Sequence, residues 1–227
     1  MTTHLIKPIS MRVPEDKIKQ FLMVCLFGDK YKTSLNDEEK IGLAINRGYR
    51  DFCRTIRCGK EWNAKIELDI PKGDERKEYY AINNSRGRAS KLIKEAIESN
   101  QFKKYDTWQK ELCDILSNKE GGVIGYTYGQ AQKWVNMTMK YLLILNYNPV
   151  EDIIDKLHIP LDSIIIKKAT KKGIELITKD TLGRDFSWSR IKTYEHYWRI
   201  QKQLKENING TPILWEFDSW NESTGMN

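Results

Sequence analysis

The stretch Tyr128–Leu145 constrains this chain more than any other. Trp134, Val135, Met137, Thr138, Tyr141, Leu142 and Leu145 recur at helical spacing and spread over much of the helix surface. A helix that is apolar over most of its circumference belongs in the middle of a fold. A glycine-punctuated segment, Gly121-Gly122-Val123-Ile124-Gly125-Tyr126-Thr127-Tyr128-Gly129, leads into it, and Lys133 is expected in its first turn. Before it, Asp106 is positioned to cap a helix with Gln109 at the matching third position, and Trp108, Leu112, Cys113, Ile115 and Leu116 form that helix's apolar face. The unit reads as helix, glycine turn, central helix.

The rest of the chain supplies more helices. Lys17–Phe27 is a short apolar helix that Gly28 can end. Asn36 and Glu39 have the spacing of a capping box, and Ile41, Ala44, Ile45, Gly48, Tyr49 and Phe52 then keep to one face. Lys65–Ile70 and Glu78–Ile82, around Pro71-Lys72-Gly73-Asp74, read as a small β-hairpin. Ala89–Ile97 is helical. Asp162 is placed to N-cap a helix over Ser163–Lys171, with Gly173 beyond it. Ser187-Trp188-Ser189 opens a long helix to about Glu206, and the aromatic tail Pro212–Trp220 docks on the body. The expected fold is mainly α, one domain over residues 1–227, divisible into lobes 1–105 and 106–227.

Composition narrows the partners. The 227 residues carry a net charge of +7, which favours an anionic partner such as nucleic acid. No apolar run reaches the roughly 20 residues that span a bilayer, so no membrane partner is expected. The N-terminus lacks the basic and apolar regions of a signal peptide. Cys25, Cys53, Cys58 and Cys113 form no metal-ligand spacing, so neither metal nor cofactor is expected. Cys25 and Cys113 sit among apolar neighbours and read as buried thiols of a reducing, cytoplasmic setting.

Glycines in the turn would bring backbone N–H groups near a DNA phosphate, and the helix N-terminus adds a favourable dipole. On that reading Gly125, Gly129 and Lys140 contact phosphate. Gly125-x-x-x-Gly129-Gln130-Ala131-Gln132-Lys133, with Ile159-Pro160-Leu161-Asp162 one helix and one loop later, resembles the helix–hairpin–helix DNA glycosylases, nearest to their archaeal 8-oxoguanine branch. The resemblance covers about residues 106–172. It implies a monomeric enzyme that flips a modified base out of duplex DNA and excises it, in repair or in defence against foreign DNA. Lys133 matches the family's lysine nucleophile and Asp162 its assisting aspartate, and Lys140 is a rival lysine. Gln130, Gln132, Trp134, His158 and Trp188 are candidates to bind the substrate base. The alternative is a nucleic-acid or nucleotide binding protein without catalysis, in which Asp162 is only a cap and the aromatics are core.

Overall fold

The computed structural model describes residues 13–55, 85–117, 126–174, 176 and 187–223. Its helices are α1 (Glu15–Phe27), α2 (Asp37–Phe52), α3 (Ser85–Glu98), α4 (Tyr105–Ser117), α5 (Tyr128–Ile144), α6 (Asn148–Glu151), α7 (Ser163–Lys171), α8 (Tyr194–Asn207) and α9 (Pro212–Ser223). No strand occurs among the described residues. The expected hairpin within 65–82 lies outside them, as do Gly125 and the rest of the glycine turn before Tyr126.

α5 is the axis of the molecule. Every residue from Tyr128 to Leu142 is buried. α2 lies along it more extensively than any other helix. Gly48 permits that close crossing, since a Cβ there would meet Thr138 Oγ1 at 2.9 Å and Trp134 Cδ1 at 3.2 Å. The Trp134 indole N–H donates to the Ile45 carbonyl at 2.9 Å, and its ring packs against Tyr49, Phe52 and Tyr126. Such ring pairs add about 0.5–1.5 kcal/mol each beyond area burial.

Several helix ends follow the sequence. Asn36 and Glu39 form a complete capping box on α2. Thr127 and Gln130 form a second one on α5, and the Asp162 carboxylate caps α7. Several boundaries and burials differ from expectation, and Ile115, expected on the apolar face of α4, is exposed. Asp106 lies inside the first turn of α4, and its carboxylate turns to His158 instead of capping. Residues 188–190 form a separate single turn, and α8 begins only at Tyr194, capped by Thr193, whose hydroxyl accepts from the His196 N–H. Cys25 is exposed, because α1 turns that face outward, whereas Cys113 is buried.

Candidate functional site

A central helix that carries six polar residues in its buried stretch must satisfy all of them internally. α5 does so with Gln130, Gln132, Lys133, Asn136, Thr138 and Lys140. Lys133 is 2% exposed, and its Nζ lies 2.7 Å from Asp162 Oδ2; Asp162 is 8% exposed. The other carboxylate oxygen, Oδ1, accepts the Ile164 and Ile165 N–H groups at 2.9 Å each. Asp162 is thus held by three donors, a set that suits a carboxylate. The fold brings together the two residues the sequence paired, across 29 positions.

The stretch Leu157–Asp162 that delivers Asp162 has no helix or strand to satisfy its backbone. Two glutamines do that work. The Gln132 amide accepts the Leu161 N–H at 3.2 Å and donates to the Leu161 carbonyl at 3.0 Å. Gln201, from α8, treats Ile159 in the same way at 3.2 and 2.6 Å. Each side chain imitates one rung of a strand, and alternate residues are clamped from two helices.

His158 closes the network. Tyr197 Oη accepts from Asn136 Nδ2 at 2.9 Å and from Gln109 Nε2 at 3.2 Å, so its own hydrogen is left for His158 Nδ1 at 2.7 Å. The imidazole therefore carries its proton on Nε2, which donates to Asp106 Oδ1 at 2.9 Å. Burial pushes the His158 pKa down, partly opposed by Asp106. The same hydrogen bond from His158 is the main reason the Asp106 carboxyl titrates below its ordinary range.

A second buried ion pair lies further along α5. Lys140 Nζ is 2.5 Å from Glu216 Oε2 of α9, with Lys140 7% exposed and Glu216 fully buried. Phe217 and Trp220 rings face the same Nζ at 4.5 and 5.7 Å. Burial lowers the Lys140 pKa and raises that of Glu216, each opposed by the other's charge. The ring faces favour the ammonium by about 0.5–2 kcal/mol. Burying an ion costs several kcal/mol, so desolvation outweighs them. Glu216 and the aromatic helix were not singled out in the sequence beyond the expectation that the tail docks. A lone glutamate among tryptophans was the available signal.

These placements correct several sequence-based assignments. Gly129 cannot lend its N–H to a phosphate: it is buried, the N–H donates to the Ile191 carbonyl at 2.9 Å, and a Cβ would meet the Trp188 carbonyl oxygen at 1.9 Å. Lys140 is no surface phosphate contact, being buried against Glu216. Gln130 spends its amide on the α5 cap and on the Thr55 carbonyl. Gln132 spends its amide on Leu161, and Trp134 is core. His158 is committed to Asp106 and Tyr197, and Trp188 packs over Gly129. Gly125 lies outside the described residues.

Among the described residues no group of His, Cys, Asp and Glu is arranged to hold a metal ion, and no helix is long and apolar enough to cross a membrane. Three open cavities, of about 400, 170 and 440 Å³, are lined by neither Lys133 nor Asp162. No family model, curated protein or solved structure matches the chain.

Proposed function

We propose that this chain is a DNA glycosylase of the helix–hairpin–helix kind, with Lys133 and Asp162 as the reacting pair. The observation that carries this reading is the 2.7 Å contact between Lys133 Nζ and Asp162 Oδ2, made by a lysine in the second turn of a helix and a carboxylate fixed by an N-cap. A flipped nucleotide would place its sugar against this pair. Asp162 stabilises the cationic sugar as the base leaves. The base leaves with the electron pair of the N-glycosidic bond and takes up the proton that Lys133 gives through Asp162. The neutral amine then adds to C1′, and as the C1′–O4′ bond breaks the added nitrogen's proton passes to O4′, leaving the Schiff base on an opened sugar. Both groups are nearly inaccessible, so engagement with DNA requires the wall over them to open. The net charge of +7 supplies the electrostatic attraction for duplex DNA.

Duplexes carrying a panel of modified bases, incubated with the protein and assayed for free base by mass spectrometry, test the reading. Asp162→Asn is expected to abolish base release while retaining DNA binding, and borohydride is expected to trap a covalent complex through Lys133. Base release that survives Asp162→Asn sinks the assignment.

A specific observation favours a second reading, nucleic-acid binding without catalysis. Gln130, Gln132, Trp134 and His158 are all consumed by internal contacts, which leaves no identified side chain to read a flipped base. That reading expects affinity that falls steeply with salt and no base released from any duplex.

A further inference from the structure

α1 is apolar on more sides than the fold uses. From Gln20 to Phe27 it carries no charged residue, yet only Met23 and Phe27 are buried. Five of the seven large apolar side chains that stay exposed among the described residues lie on it or just before it: Val13, Ile18, Phe21, Leu22 and Val24, against Ile115 and Leu214 elsewhere. Phe21 is 66% exposed, Leu22 58% and Ile18 45%. Ile18, Phe21, Leu22 and the exposed Cys25 follow the i, i+3, i+4, i+7 spacing of one helix face. At about 100° per residue that face points away from Met23 and Phe27, so the body of the protein does not cover it. A helix apolar on its inner and outer sides calls for a partner on both.

We propose that the outer face of α1 binds the same face of a second copy of this chain, with the two helices antiparallel about a two-fold axis. The charges on α1 select both the partner and its direction. All four, Glu15, Asp16, Lys17 and Lys19, lie in the first half of the helix. A parallel pair sets each of them beside its own copy, like charge against like. An antiparallel pair lays each charged half over the partner's uncharged half. The four charges also sum to zero, whereas helices that lie on anionic lipid are rich in Lys and Arg. With the axis between Phe21 and Leu22, Phe21 packs on the partner's Leu22 and Ile18 on the partner's Cys25, and each contact is made twice. The seam of one 13-residue helix is smaller than the roughly 800 Å² per partner of a standard stable interface. The dimer is therefore a weak one, forming in the micromolar range, where the sequence resemblance implies a monomer.

The inference needs no DNA and does not rest on the glycosylase reading. It is tested on the full-length protein by sedimentation velocity across the micromolar range, where the mean mass is expected to rise from that of one chain towards that of two. The Phe21 side chain faces solvent in the single chain, so Phe21→Glu is expected to keep the melting transition of the monomer while weakening association at least tenfold. Orientation is read by mild oxidation, with the linked peptides identified by mass spectrometry. Ile18→Cys is expected to form a disulfide from position 18 to the partner's Cys25. The unaltered chain is expected to form none between its two Cys25 thiols, which lie about 10.5 Å apart along the axis of the pair, beyond the reach of a disulfide. A disulfide joining the two Cys25 residues overturns the antiparallel pairing. A mass that stays at one chain, or a dimer that Phe21→Glu leaves equally tight, overturns the proposal. So does a monomer that floats with vesicles of phosphatidylcholine and phosphatidylglycerol, since lipid is then what covers the face.

Discussion

Asp162 does two things with two oxygens. Oδ1 caps α7, and Oδ2 neutralises Lys133. Removing a cap costs about 1 kcal/mol, whereas stranding a buried charge costs about 3–5 kcal/mol. Asp162→Ala is therefore expected to destabilise the protein by several kcal/mol in urea denaturation. Most of that loss should be recovered in the double variant Asp162→Ala with Lys133→Met, because the stranded ammonium is gone. If the double variant is as unstable as the single, the ion pair is not what makes Asp162 costly to remove. Gly129 gives a sharper steric case. The atom that a Cβ would strike, at 1.9 Å, is the backbone carbonyl oxygen of Trp188, which cannot rotate away. Gly129→Ala should cost about 3 kcal/mol or more, seen as a lowered denaturation midpoint.

At the scale of elements, Leu157–Asp162 is a piece of extended chain without a strand beside it. It stays buried because Gln132 and Gln201 each pair with both polar groups of one residue. Each backbone group left unpaired costs about 1–3 kcal/mol. Gln132→Ala is expected to lose about that amount or twice it, and to speed hydrogen exchange specifically at the Leu161 amide. Gln201→Ala should do the same at Ile159, whose carbonyl keeps a long contact from Asn136. Exchange at these two amides that is unchanged in the variants would show that the clamps are incidental.

At the scale of the whole molecule, the network around His158 ties stability to pH. Burial holds this imidazole neutral in the fold. In the unfolded chain it takes a proton near pH 6.5. The folded state's advantage is full above that pH and declines as pH falls towards the depressed folded value, by at most about 1.4 kcal/mol per pH unit from this one group. Asp106 acts in the same sense lower down. Its carboxyl is depressed chiefly by the His158 hydrogen bond, so its contribution is present above about pH 3.8 and is lost as pH falls through the folded value. Urea midpoints measured at pH 7 and pH 5 should show the loss, and His158→Gln should show a smaller one. An equal pH dependence in that variant would assign the effect to other groups.

Local chemistry made some of this architecture legible from the sequence. Asn36 with Glu39 and Asp162 before Ser163 are caps, and caps depend on residues within three positions of each other. The centrality of α5 was legible because its apolar residues leave no side to give to water. The predominance of helix followed from the same periodicities. Other features depended on distant partners. Gln132 and His158 look like surface or ligand groups until Leu161 and Tyr197 are brought against them from 29 and 39 residues away. Gly129 reads as part of a flexible turn until the Trp188 turn packs on it. The meeting of Lys133 with Asp162 was suggested by order along the chain, but its burial, and the second pair that Glu216 makes beside it, were decided only by tertiary structure. Whether a polar side chain is a tool or a strut depends on which hydrogen bonds remain unspent after folding, and that sum runs over residues far apart in the chain.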